Sequence, residues 1–228
     1  MEQHLEKTLS HVVEQAIETG EPVGSQHLVA RYKLEVSPST VRNYFAELES
    51  QGFITQPHTS SGRLPTEKGY GYYVQHLMKT RLLSKREALE LSNALQTDAA
   101  EHRQAKSLAK AAAEISGQAM VLGIGETDSY YTGLSYLFGQ PEFKDWNRIL
   151  GMSDVLDRLD NVLAKARVSA FQQPTVMIGS ECPFGPLCGS VMVSAGGDYL
   201  FGVLGPMRMD YALAIALVDR VKNLLESK

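Results

Sequence analysis

Several large classes of protein are excluded by what this chain of 228 residues has little of. Its two cysteines, Cys182 and Cys188, are too few for a disulfide framework and suit reduced thiols of the cytoplasm. No apolar run is long. Stretches such as Ala119–Ile124 fall far short of the ~20 residues that a membrane span needs. The start carries Glu2, His4 and Glu6 without an apolar core behind a basic segment, so no signal peptide is expected. Catalytic devices are missing too. Gly123–Gly125 and Gly196-Gly197 lack the Lys-Ser/Thr of a phosphate loop. No Ser, His and Asp set reads as a nucleophile with its base. The six-residue spacing of Cys182 and Cys188, with no second pair and no nearby His, does not suit zinc, which takes four ligands at tighter spacing. Neither an enzyme nor a metal or cofactor site is expected.

An excess of positive charge is also lacking. The formal net charge is −4, and residues 1–80 hold seven Lys and Arg against nine Asp and Glu. Yet residues 37–46 and 53–66 contain Arg42 and Arg63 and no acid. A small acid-free patch on an acidic body predicts few phosphate contacts per subunit, hence two subunits on any nucleic acid.

What is present is a patterned stretch at residues 37–63. Ser37 suits a helix N-cap and Pro38 the first helical position, where its missing N–H costs nothing. Val41, Phe45 and Leu48, with Tyr44 as a further candidate, form an apolar stripe, and Gly52 supplies a stop. Ser39, Thr40, Arg42 and Asn43 are left on the first exposed turns. Such donors and acceptors read base edges and phosphates from the N-terminal end of a recognition helix. A hairpin follows, out through Phe53-Ile54-Thr55-Gln56, across a Ser60-Ser61-Gly62 tip, and back through Arg63-Leu64-Pro65. Helix, stop and hairpin with an Arg near its tip predict a winged helix. The candidate DNA-binding residues are Ser37, Ser39, Thr40, Arg42, Asn43, His58, Ser60, Ser61 and Arg63. A small helical domain with an unremarkable ribbon is the plainer alternative.

Upstream, the spacing predicts a helix over 5–18 and a short second helix with Ser25 as its N-cap. Downstream it predicts a helix over 67–78 with Tyr70, Tyr73, Val74 and Leu77 on one side, as core rather than a base-stacking platform. Residues 79–118, rich in Ala, Leu, Lys, Glu and Gln, predict one long helix or two. Their stripe of Leu82, Leu89, Leu95, Ala99, Leu108, Ala112 and Ile115 suits linkage, pairing with a second copy, or both. Beyond Gly117 come a strand at Ala119–Ile124 and an apolar stretch at 130–138 of undecided type. A helix opens at Pro141 and runs to 150, and another over 154–167 is capped by Ser153. Strands at Thr175–Ile178, 190–194 and 199–204 follow, the last two joined by a Gly196-Gly197 turn. A final helix over 210–226 buries Leu213, Leu217, Val221 and Leu224. Arg208 and Asp210 suit either a ligand contact or mutual pairing with capping of that helix. This makes an α+β protein: a winged-helix domain (1–78), a helical linker or dimerisation region (79–118), and a domain of helices against an antiparallel sheet (119–228).

The strings Thr19-Gly20-Glu21-Pro22-Val23-Gly24-Ser25, Ser39-Thr40-Val41-Arg42-Asn43 and Gln56-Pro57-His58-Thr59-Ser60-Ser61-Gly62-Arg63-Leu64-Pro65-Thr66 resemble the HrcA family of bacterial heat-inducible transcription repressors. So do Gln140-Pro141-Glu142-Phe143 and residues 202–211. The resemblance implies dimers on an inverted-repeat operator upstream of chaperone genes, activity dependent on a GroEL-type chaperonin, and a GAF-like C-terminal domain. The chain departs from the family at Tyr44-Phe45, at Ser61, at Gly71 where Arg is common, and at Met207. It also lacks the dimerising insert expected between 124 and 140. A small-molecule-sensing winged-helix regulator of other genes, or a protein-interaction module or chaperonin client whose DNA binding has decayed, are the rival functions.

Overall fold

Leu5, Leu9, Val12, Val13 and Ala16 form the buried face of α1 (Gln3–Thr19), which ends at Gly20. The computed structural model describes every residue except 59, 60, 97–99, 168, 170 and 228. Its chain divides into two units, Met1–Lys79 and Thr80–Lys228.

In the first unit α2 (Ser25–Tyr32) follows an extended Gly24, which takes the cap position with no side-chain bond. The expected Ser25 cap is therefore corrected: the chain enters the helix one residue early, and Ser25 is its first residue. α3 (Pro38–Ser50) buries Val41, Phe45 and Leu48 completely or nearly so, against α1 and α2. Truncating Phe45 to Ala there would cost about 3–5 kcal/mol. Gly52, at φ 76°, closes α3. Its N–H reaches the Glu49 carbonyl and the Phe53 N–H reaches Leu48, a double C-terminal lock that needs a left-handed residue. The chain then pairs β1 (Ile54–Thr55) with β2 (Leu64–Pro65), Ile54 opposite Pro65. Val23 bridges Arg63 as a third short rung. A Cβ at Gly62 would lie 2.4 Å from the Val23 backbone, so only glycine admits that rung. Thr66 caps α4 (Glu67–Tyr72), which continues as a π-helical turn over Tyr73–Leu77. Tyr70 is buried, while Tyr73, Val74 and Leu77 are half-buried.

The second unit opens with α5 (Lys85–Gln96) and α6 (Glu101–Ser116), which pack on each other, with α6 lying on the sheet. Residues 79–118 are thus two helices folded into this unit rather than a free-standing connector. The stripe needs correction as well. Leu91, Leu108 and Ala112 are buried, Leu95 and Ile115 half-buried, and Leu82 and Leu89 stand 91% and 60% exposed. Ala99 lies outside the described residues. β3 (Ala119–Ile124) and β4 (Asp128–Thr132) lead into α7 (Leu134–Phe138), resolving the undecided stretch into strand and helix. A 3-10 turn at Pro141–Phe143 precedes α8 (Trp146–Leu156), capped by Asp145, and α9 (Leu159–Arg167). Ser153 is therefore no cap. It sits inside α8 with its hydroxyl on the Ile149 carbonyl, because the break falls later, at 157–158. β5 (Thr175–Ile178), β6 (Cys188–Ala195), β7 (Tyr199–Pro206) and α10 (Tyr211–Glu226) complete the unit, with Leu225 rather than Leu224 fully turned inward.

The sheet runs β4-β3-β7-β6-β5, antiparallel throughout. Its central strands β3 and β7 are buried along their whole length, as expected of strands covered on both faces. Ala119, Val121, Met192, Leu200 and Leu204 pack with Leu137, Phe143, Met152, Leu159 and Leu163 of α7–α9 and the turn before α8. α6 and α10 take the opposite side. Arg208 donates to Glu142 (2.6 Å) and Gln140 (2.7 Å), while Asp210 caps α10 and pairs with Arg81 at 3.3 Å. The expected Arg208–Asp210 pair is thus replaced by a tie between the two strings of residues 140–143 and 202–211. Among the described residues no helix is long and apolar enough to cross a membrane.

Candidate nucleic-acid interface

The N-terminus of α3 is built by its cap. Ser37 Oγ accepts the Thr40 N–H at 3.1 Å and lies 3.0 Å from the Thr40 hydroxyl. Both hydroxyls are therefore engaged in shaping the turn. Ser39, Arg42 and Asn43 project from it, all exposed, and among the described residues no ion pair engages Arg42. These three share the exposed first turns of α3, where base contacts are expected from the sequence. Arg42 also lines a cleft of about 370 Å³ with Gly24, Ser25, Phe45, Gln56, Ser61 and Arg63, so helix and wing bound one concave surface.

The wing is tied internally. The Ser61 hydroxyl donates to the His58 carbonyl at 2.7 Å and accepts the His58 N–H at 3.0 Å. Gln56 Nε2 donates to the Ser61 carbonyl. Ser61 thus builds the tip, leaving the exposed His58 ring as the group it presents; Ser60 lies outside the described residues.

Arg63 is committed to a role the sequence does not reveal. Its Nε and Nη2 both reach Glu49 Oε2, at 3.2 and 3.0 Å, and its side chain is only 18% exposed. The other Glu49 oxygen accepts the Gln56 N–H at 3.1 Å. One carboxylate on α3 therefore grips both strands of the wing. The acid-free patch of the sequence is compensated in space, since Glu49 lies between its two segments. Glu49 is the residue that sequence reasoning missed. Its signal was present only as an acid on the C-terminal half of α3. Lys68 is likewise committed, with Nζ on the Gln51 carbonyl (2.8 Å) and 4.4 Å above the Phe53 ring.

Behind this face, His11 stacks on Tyr32 at 3.8 Å. Burial lowers the His11 pKa, and burial first pushes that of Tyr32 up to about 12. In the second unit both cysteines are free and buried. Burial raises the Cys182 thiol and lifts that of Cys188 to about 12, which makes both inert. No cluster of three metal-ligating side chains occurs among the described residues.

Residues 74–215 match the family model described as HrcA protein C terminal domain, more than half of the chain. The chain is 54% identical over 82 residues to the heat-inducible transcription repressor HrcA of Pelotomaculum thermopropionicum, covering 36% of this chain and 24% of that protein. It is 50% identical over 105 residues to the repressor of the same name from Thermobifida fusca, covering 44% and 31%. The matched stretches thus span a quarter to a third of those relatives' lengths. A crystal structure titled as a hypothetical protein at 2.2 Å resolution shares the fold, with TM-score 0.76 at 16% identity, covering 100% of this chain and 98% of that one.

Proposed function

The chain belongs to the HrcA family, and on that premise we propose that it is a non-enzymatic, DNA-binding repressor of heat-shock genes. The observation that carries this reading is the exposed Ser39, Arg42 and Asn43 at the capped start of α3, beside a wing held by Glu49. The start of α3 enters the major groove, and Arg42 and Asn43 reach base edges. His58 at the wing tip contacts the adjacent backbone. With Arg63 and Lys68 committed internally, each subunit contributes few phosphate contacts, so tight binding requires two subunits on an inverted repeat. The exposed Leu82 and Leu89 of the second unit contribute to that pairing. The protein acts in the cytoplasm, with a GroEL-type chaperonin restoring its active form.

A gel-shift with the inverted repeat upstream of the organism's chaperonin genes tests this. A retarded band is expected, competed by the repeat and not by scrambled duplex, and recovered better after heating when chaperonin is present. Equal competition by both duplexes would contradict operator recognition.

A further inference from the structure

An apolar cleft of about 240 Å³ opens in the second unit between α8 and the loop 184–188. Its floor on α8 is Arg148, Gly151, Met152 and Val155, spaced so that all four share one helix face. Phe143 and Phe184 close the other sides.

Gly151 is the informative residue. It stands at the middle of α8, where glycine costs about 1 kcal/mol relative to alanine. Its backbone is not left-handed, and a Cβ there would meet nothing within 4 Å. Neither conformation nor crowding requires glycine, and what its missing side chain leaves is the space of the cleft. The facing wall is preformed. Pro183 and Pro186 fix the backbone, Gly185 turns at φ 116°, and the Gly185 and Cys188 N–H groups bond back within the loop. The Leu187 carbonyl accepts the Met207 N–H.

Arg148 is the charged residue of the lining. One of its nitrogens holds the Glu142 carbonyl at 2.9 Å. Among the described residues no ion pair engages Arg148, while the Glu142 carboxylate is taken by Arg208 and Asp145 Oδ1 by the first N–H groups of α8. Its charge is therefore left to meet an anion at the mouth.

We propose that this cleft binds a small amphipathic carboxylate, with an apolar body between Gly151 and Phe184 and its carboxyl group on Arg148. An engineered cavity of about 150 Å³ holds benzene, so this one suits roughly ten non-hydrogen atoms. The apolar part supplies the affinity and the guanidinium fixes orientation. The cleft is independent of the DNA-binding face, and its test involves no DNA.

The probes are sodium octanoate and 1-octanol, added to the purified full chain. Thermal melting and the fluorescence of Trp146, the only tryptophan, are followed. Octanoate should raise the melting temperature of the second unit saturably, and octanol less. Gly151→Leu should fold, shown by circular dichroism, melt higher than wild type without probe, and lose the octanoate shift. Arg148→Gln should bring the octanoate response down to that of octanol. No saturable shift in the wild type, or an undiminished one in Gly151→Leu, would overturn the site. A surviving preference for octanoate in Arg148→Gln would overturn the role of Arg148.

Discussion

At the scale of single residues, the two arginines that look equivalent in the sequence do different work. Arg42 is exposed and, among the described residues, outside any ion pair. Arg42→Ala should therefore cost about 1–3 kcal/mol on operator and much less on random duplex, read by titration of both. Equal losses would make Arg42 a phosphate contact. Arg63 is already neutralised, so Arg63→Ala should leave the slope of log affinity against log salt nearly unchanged. Glu49→Gln should do the opposite. It frees the Arg63 cation and loosens the wing, so random duplex should bind more tightly, with a salt slope steeper by roughly one, while operator binding weakens. A variant with unaltered discrimination would remove Glu49 from the positioning of the wing. Partner choice of this kind was illegible in the sequence, where Glu49 and Arg63 are fourteen residues apart and belong to different elements. The Ser37 cap, Pro38 and the Gly52 stop were legible because each acts within one turn of the backbone. His11 offers a pH test. Burial depresses its folded pKa, so the unfolded chain binds more protons just below the ordinary value of 6.5. Stability is then full above that pH and falls as acid is added through it. Melting of the winged helix should drop from about pH 7.5 to about 5.5, and His11→Gln should flatten that dependence.

At the scale of elements, amphipathic periods placed α1, α3 and α10 to within a residue or two, short apolar runs placed β3 and β5, and the Gly196-Gly197 turn placed the β6–β7 hairpin. α5 is the instructive miss. A helical stripe drawn through Leu82 and Leu89 fits the period, but Leu82 precedes the helix, and within α5 Leu91 is the residue that the fold buries. Two phases were available in the sequence, and only tertiary packing chose between them. The phase left outside is the candidate surface for a second copy. Leu89→Glu should convert dimers to monomers in sedimentation, since each substitution acts twice across a two-fold contact. It should leave melting of residues 1–79 unchanged. A dimeric variant would move the contact away from α5. Gly71 is one of the positions at which the chain departs from the pattern that the family resemblance implies. A side chain there would meet nothing within 4 Å of its Cβ, so Gly71→Arg should fit without strain.

At the scale of the whole molecule, two units with separate cores should unfold in two steps. Far-ultraviolet melting should show the second unit opening before the winged helix, with operator affinity lost at the first step and recovered better with chaperonin. Operator binding that survives the first step would move heat sensing elsewhere. The proposed function depends on sequence-specific recognition by the α3 face. The most direct test is a pair of titrations at one salt concentration, on the inverted repeat and on a scrambled duplex of equal length and composition. Binding to the repeat should be tighter by about 10³-fold or more, with about 5- to 150-fold of that preference lost in Arg42→Ala. A ratio near one for the wild-type protein would contradict it.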